Sequence, residues 1–173
     1  MQTELTNTDT RERADLLETL VKHRGLLRQT VRGLTDEQAG LRPTASRLCL
    51  GGILRHVART EAGWVDFILE GPTAIGPADE AAYAAHLASF EMGGAGVAAL
   101  LSAYEDTARR TEEVVASLPT LDASHPLPEA PWSEPGARWS ARRVLLHLIA
   151  ETAQHAGHAD IIRETIDGSK TMG

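Results

Sequence analysis

Four stretches of about 20 residues repeat their apolar side chains at helical spacing, and glycines and prolines cut the chain between them. The first is read from about Thr10 to Val31, on Leu16, Leu17, Leu20, Leu27 and Val31, with Gly33 near its end. The second runs from about Leu48 to Glu70 and is stopped by Gly71-Pro72; the third covers Val97 to Ser117 and halts before Pro119. The fourth follows Ser140, a suitable N-cap, and ends at Gly168. Thr35-Asp36-Glu37-Gln38 has the form of a capping box and predicts a short helix ending at Gly40, before Arg42-Pro43 forces a break. Two connections are long. Gly71 to about Gly94 has room for a short helix around Asp79 to Ser89, and a second loop carries Pro119, Pro126, Pro128, Pro131 and Pro135. With β-branched alternation scarce, the reading is all-α: a four-helix bundle whose connections are long enough for a crossover. No repeat or linker divides it, so residues 1–173 are expected to form one domain, frayed over 1–8 and 169–173.

Charge and cysteine content narrow the function. A formal charge of −7 and a pI near 5.5 argue against nucleic-acid or anionic-membrane binding, both of which need concentrated Lys and Arg. No apolar run reaches the roughly 18 residues of a membrane span, and Met1 to Thr10 is polar, unlike a secretory leader. The single cysteine, Cys49, excludes an internal disulfide and a cysteine-cluster zinc site. These features predict a soluble protein of the reducing cytoplasm.

The fourth helix carries the chemistry. At roughly 100° per residue, His147, Glu151, His155 and His158 share an arc of about 80° that also holds Val144 and Ile162, a face the helix is expected to bury. Buried imidazoles and carboxylates are costly unless paired or bound to a metal. Glu151 and His155, spaced i,i+4, are able to converge on one ion, although an ion pair explains that spacing equally well. On the second helix, His56 sits in a stripe with Cys49, Ile53, Thr60, Trp64 and Phe67. His56, Glu151 and His155 then make a three-ligand set suited to zinc, and also to nickel or iron(II), with coordination positions left open. His147 and His158 are assigned to orienting ligands, relaying a proton or positioning substrate, with direct ligation by His158 as the alternative. His86 and His125 fall in connections and are read as solvated; His23 is unremarkable.

The segments LGGILRHVARTEAGW at 50–64 and WSARRVLLHLIAETAQHAGHADIIRETIDG at 139–168, with the opening RERADLLETLVKHRGLLRQTVRGLTDEQAGLRP, resemble the DinB-like four-helix metalloprotein superfamily, most closely its mini-circle-protein branch. The resemblance implies an up-down-down-up bundle binding a divalent metal through one histidine of the second helix and two ligands of the fourth. Many members have a third histidine where this chain has Glu151. The His/Glu/His variant is similar to that of mycothiol-dependent maleylpyruvate isomerases, and it carries onto His56, Glu151 and His155. Those enzymes have a second domain for which this chain is too short.

The expected function is therefore a divalent-metal-dependent thiol S-transferase or thiol-dependent isomerase, with a low-molecular-weight, mycothiol-like cosubstrate and a small electrophilic substrate. The alternatives are a metal-dependent hydrolase, an iron(II) oxygen-activating enzyme, and a non-enzymatic metal-binding stress protein. Cys49 lies two turns from His56 and reads as a small buried hydrophobe. Arg59 and Arg138 are loose candidates for an anionic substrate group, each more simply a surface charge. Trp64 reads as core, and Trp132 and Trp139 as packing of the proline-rich loop near a pocket mouth. Leu146, Ile149, Ala150, Ala153 and Ile161 form a second apolar side on the fourth helix, which predicts a homodimer.

Overall fold

The computed structural model describes the backbone of residues 2–130 and 134–172, and the side chains from residue 9 onward within those ranges. Trp132 lies outside the described residues. Helix α1 spans Gln2–Gln29, starting ahead of the expected Thr10. Next comes α2, Asp36–Ala39, closed by the capping box: the Thr35 hydroxyl accepts from Gln38 N–H, and the Gln38 side chain accepts from Thr35 N–H. The second long helix, α3, covers Leu50–Glu70 and passes into a 3-10 turn at Gly71–Ala74. Asp79 caps the short α4, Glu80–Ser89, and α5 covers Val97–Ser117. The last helix, α6, is Ala141–Asp167, capped by the Ser140 hydroxyl and ended by Gly168 in the left-handed conformation.

Contacts along the long helices fix their directions. Arg142, early in α6, pairs with Glu12 of α1, and Arg163, late in α6, donates to the carbonyls of Thr30 and Arg32 just past α1, so these helices run parallel. Leu50 to Ala58 of α3 share an apolar cluster with Val97, Leu100 and Tyr104 from the start of α5, but with Ala156, Ala159 and Ile162 from the later part of α6. Phe67 and Ile68 share the other cluster with Val115 of α5 and with Val144, Leu145 and Leu148 of early α6. Helix α3 is thus parallel to α5 and antiparallel to α6. The bundle is up-down-down-up, as the resemblance implies.

Between the two apolar clusters lies a polar layer that the sequence reading missed. The Arg24 guanidinium, on a residue 4% exposed, donates to both oxygens of Glu61, at 3.1 and 2.5 Å, and the Glu61 side chain is fully buried. The Thr111 hydroxyl donates to the same carboxylate at 2.5 Å, and Glu112 at the rim takes a third Arg24 bond at 3.2 Å. Thr152 of α6 is buried as well. Each long helix therefore contributes one buried polar residue between Leu20 and Leu27, Ala58 and Val65, Tyr104 and Val115, or Leu148 and Ala156. Burial pushes the nearby Tyr104 phenol well above its ordinary pKa.

A small antiparallel ribbon was also absent from the sequence reading. It pairs β1, Ser124–Pro126, with β2, Arg138–Ser140, in the register Ser124 to Ser140. It corrects the solvated reading of His125: that ring is half-buried, edge-on to Phe67, with Nε2 donating to the Ile68 carbonyl at 3.2 Å. Gly71 gives it room, since a Cβ there would stand 2.8 Å from His125 Nδ1. Arg138 closes the ribbon by donating to the Ser124 carbonyl at 2.6 Å, and Arg59 is exposed on α3. On the second apolar side of α6, Leu146 and Ile161 are exposed, whereas Ile149 packs on the core.

Residues 86–92 close over the first half of α3. A Cβ on Gly52 would lie 1.8 Å from the Phe90 carbonyl oxygen, and one on Gly51 would meet Met92 at 2.7 Å. Arg55 clamps the segment by donating to the carbonyls of Ala88 and Glu91, at 2.8 and 3.0 Å. Two stability outcomes follow. Gly52→Ala forces backbone apart and is expected to cost about 3 kcal/mol in urea denaturation; a wild-type midpoint would show that the close approach is not required. Glu61→Ala strands the buried guanidinium on its one rim partner and is expected to cost about 3 kcal/mol, much of it recovered in the apolar double variant Arg24→Met, Glu61→Leu. A neutral Glu61→Ala would remove the polar layer from the stability argument.

Candidate metal centre

The site forms where α3, α6 and the end of α4 meet. His56, 2% exposed, projects from α3, with its ring stacked on Phe90 at a centroid distance of 3.8 Å and an interplanar angle of 17°. Its Nε2 lies 3.2 Å from Glu151 Oε1, and the same carboxylate oxygen lies 3.3 Å from His155 Nε2. The i,i+4 spacing on α6 brings Glu151 and His155 to one side of one turn, and the antiparallel α3 supplies the facing histidine. One donor atom from each of the three residues falls within 4.8 Å of the other two.

Electrostatics match that geometry. His155, then His56, each with a ring nitrogen close against the carboxylate, hold the Glu151 carboxyl well below the usual carboxylate range, against the opposing effect of burial. Burial lowers the His56 pKa, outweighing the pull of the neighbouring Glu151, so this imidazole favours its neutral form, the form that ligates metals. Two imidazoles and one carboxylate suit a borderline divalent cation such as zinc, nickel or iron(II), and fill three positions only. The residues present fit such an ion.

The other expected site residues are placed differently from one another. Counted round α6, the buried residues Ala141, Val144, Leu145, Leu148, Thr152, Ala156, Ala159 and Ile162 centre about 80° away from the histidine stripe. The stripe therefore lies on the flank of the buried face, which corrects the expectation of full burial. His155 has a side chain 12% exposed and Glu151 one 23% exposed, whereas His158 is exposed. His158 stands behind His155, its Nδ1 3.5 Å from His155 Nδ1, on the side away from Glu151. That is the position of an orienting neighbour, and His158 is outside the converging set. His147, one turn before Glu151, is half-buried edge-on beside Trp64 and Trp139, with ring centroids at 5.1 and 5.2 Å, and burial lowers its pKa.

Trp64 and Trp139 stack on one another at 4.7 Å and 16°, with the Arg143 guanidinium 4.7 Å over Trp139. Cys49 is buried at the start of α3, its Sγ beside the Phe90 carbonyl, as a small core residue. Sequence reasoning missed the site contacts of three residues at the end of α4. Ser89 Oγ lies 2.8 Å from His56 Nδ1, Phe90 stacks on the same ring, and His86, exposed as expected, stands edge-on to it at 5.3 Å. No periodic signal marks them, because the short α4 reaches the site only through its final turn.

No curated protein shows significant sequence similarity to the chain. A family model described as mycothiol-S-transferase matches residues 15–168, a span that contains all four long helices' core positions and the three converging donors. The chain belongs to the mycothiol-S-transferase family, a DinB-like family.

Proposed function

We propose that this protein is a divalent-metal-dependent mycothiol S-transferase acting in the cytoplasm on a small electrophilic molecule. Family membership supports the thiol and the transfer, and the observation that carries the metal is the convergence of His56, Glu151 and His155 on one partly open point. Zinc is the first choice for that donor set, with nickel or iron(II) next. A divalent cation held there favours thiolate over thiol at neutral pH and so supplies the nucleophile.

The reaction forms one sulfur–carbon bond. The thiol proton leaves as the thiolate forms, the sulfur attacks the electrophilic carbon, and the electron pair displaced from that carbon goes to a leaving group or an adjacent electron-withdrawing group. This chain's residues hold the donors in place and bound the site. His158 supports His155 from behind and, being exposed, is placed to pass a released proton to solvent. His147 stands beside the tryptophan stack one turn before Glu151, and burial lowers its pKa. Exposed Leu146 and Ile161 keep the homodimer within the same proposal.

Two histidines and a carboxylate are also the composition of an iron(II) facial triad, so an oxygen-activating enzyme is the second reading. Elemental analysis of protein purified without an affinity tag separates the two, together with oxygen uptake. Stoichiometric zinc and no oxygen uptake are expected. His155→Ala and Glu151→Gln are each expected to lose stoichiometric metal while keeping helical circular dichroism; full retention in both would overturn the ligand assignment. In a panel of electrophiles, conjugate formation detected by mass spectrometry is expected with mycothiol and is expected to stop when metal is stripped. Turnover at the same rate without thiol would replace the transferase with a hydrolase.

A further inference from the structure

Ser89 closes α4 and is 6% exposed, and its hydroxyl has only one way to bond. Its Oγ lies 2.6 Å from the His86 carbonyl, which only accepts, so the hydroxyl hydrogen points there. The remaining lone pairs face His56 Nδ1 at 2.8 Å, and that nitrogen must carry the hydrogen. A neutral imidazole has a single N–H, so His56 Nε2 is left as a bare lone pair. That lone pair faces the Glu151 carboxylate at 3.2 Å, an acceptor without a hydrogen, and the Thr60 hydroxyl only at 3.4 Å. Two acceptors held face to face are matched by a cation between them.

We propose that Ser89 is a positioning residue that fixes the tautomer of His56, so that Nε2 is presented to a divalent metal together with Glu151 and His155. The proposal rests on the metal-binding reading above. It makes the end of α4 and Phe90 part of the metal site: Arg55 and Gly52 hold their backbone, Phe90 sets the plane of the ring, and Ser89 sets which nitrogen is free. Partners of this kind typically matter about 10–100-fold in metal affinity.

The test uses metal-free protein first. Long-range proton–nitrogen correlation spectra are expected to show His56 as the Nδ1–H tautomer in the wild type and to move toward Nε2–H in Ser89→Ala, where Glu151 is the only strong acceptor left. An Nε2–H tautomer in the wild type would overturn the proposal. Zinc affinity is then measured by competition with a chromophoric chelator for the wild type, Ser89→Ala and Ser89→Thr, the last keeping the hydroxyl. Ser89→Ala is expected to bind about 10–100-fold more weakly, with Ser89→Thr within about threefold of wild type. Equal losses in the two variants, or none in Ser89→Ala, would assign Ser89 to packing alone. Wild-type protein that takes up no zinc would overturn the metal reading and this proposal with it, whereas normal wild-type uptake with an unaffected Ser89→Ala would overturn only the latter.

Discussion

The buried Arg24 and Glu61 pair constrains everything around it. Charges removed from water are tolerable only when fully bonded, and Glu61 accepts from both Arg24 and Thr111 while Arg24 keeps a further bond to Glu112 at the rim. Those four groups come from three helices, so they meet in one register of α1, α3 and α5 and no other. A slip of one turn along any of them would strand a charge inside an apolar cluster. The pair thereby fixes the height of α3, and with it the height at which His56, five residues earlier, faces α6.

On α6 the same level is marked by Thr152, which follows Glu151 directly. The polar layer and the candidate metal centre are neighbours in sequence on two helices, one turned inward and one turned to the flank. That difference in direction separates their functions. Inside, Arg24, Glu61 and Thr111 are enclosed and bonded to one another, which suits a structural pair. On the flank, Glu151 and His155 keep part of their surface open, which is what a site needs if a small molecule is to reach a bound ion.

The helical framework was legible because caps and breakers announce themselves: Thr35 with Gln38, Ser140, Gly71-Pro72 and Gly168 all act where the sequence places them. The converging set of His56, Glu151 and His155 was legible from periodicity joined to resemblance. What periodicity left out is a quantity it does not carry, namely the direction of the core. His147 to His158 share a face, but whether that face is buried depends on where α3 and α1 sit, and the heavier residues Leu145 and Leu148 draw the core about 80° round the helix. Arg24 was visible as a charge at an apolar position of its stripe, between Leu20 and Leu27, a signal that was there to be used, whereas Glu61 lies about 60° outside the stripe read on the second helix. The ribbon and the contacts of Ser89 and Phe90 had no such signal, since they depend on tertiary placement of short segments.

Placement also decides what the aromatic residues near the site are able to do. Trp64 already meets Trp139, Phe67 and His147, and Trp139 carries the Arg143 guanidinium over its ring. With its ring contacts taken up by the protein, this group ties the ribbon and α6 to α3 and closes one end of the site as a wall, in keeping with the core reading of Trp64. The exposed histidines lie elsewhere: His86 stands beside His56, and His158 stands behind His155. The three converging groups therefore stand between polar rings, toward α4 and the later part of α6, and the tryptophan stack beside His147, one turn before Glu151 on α6.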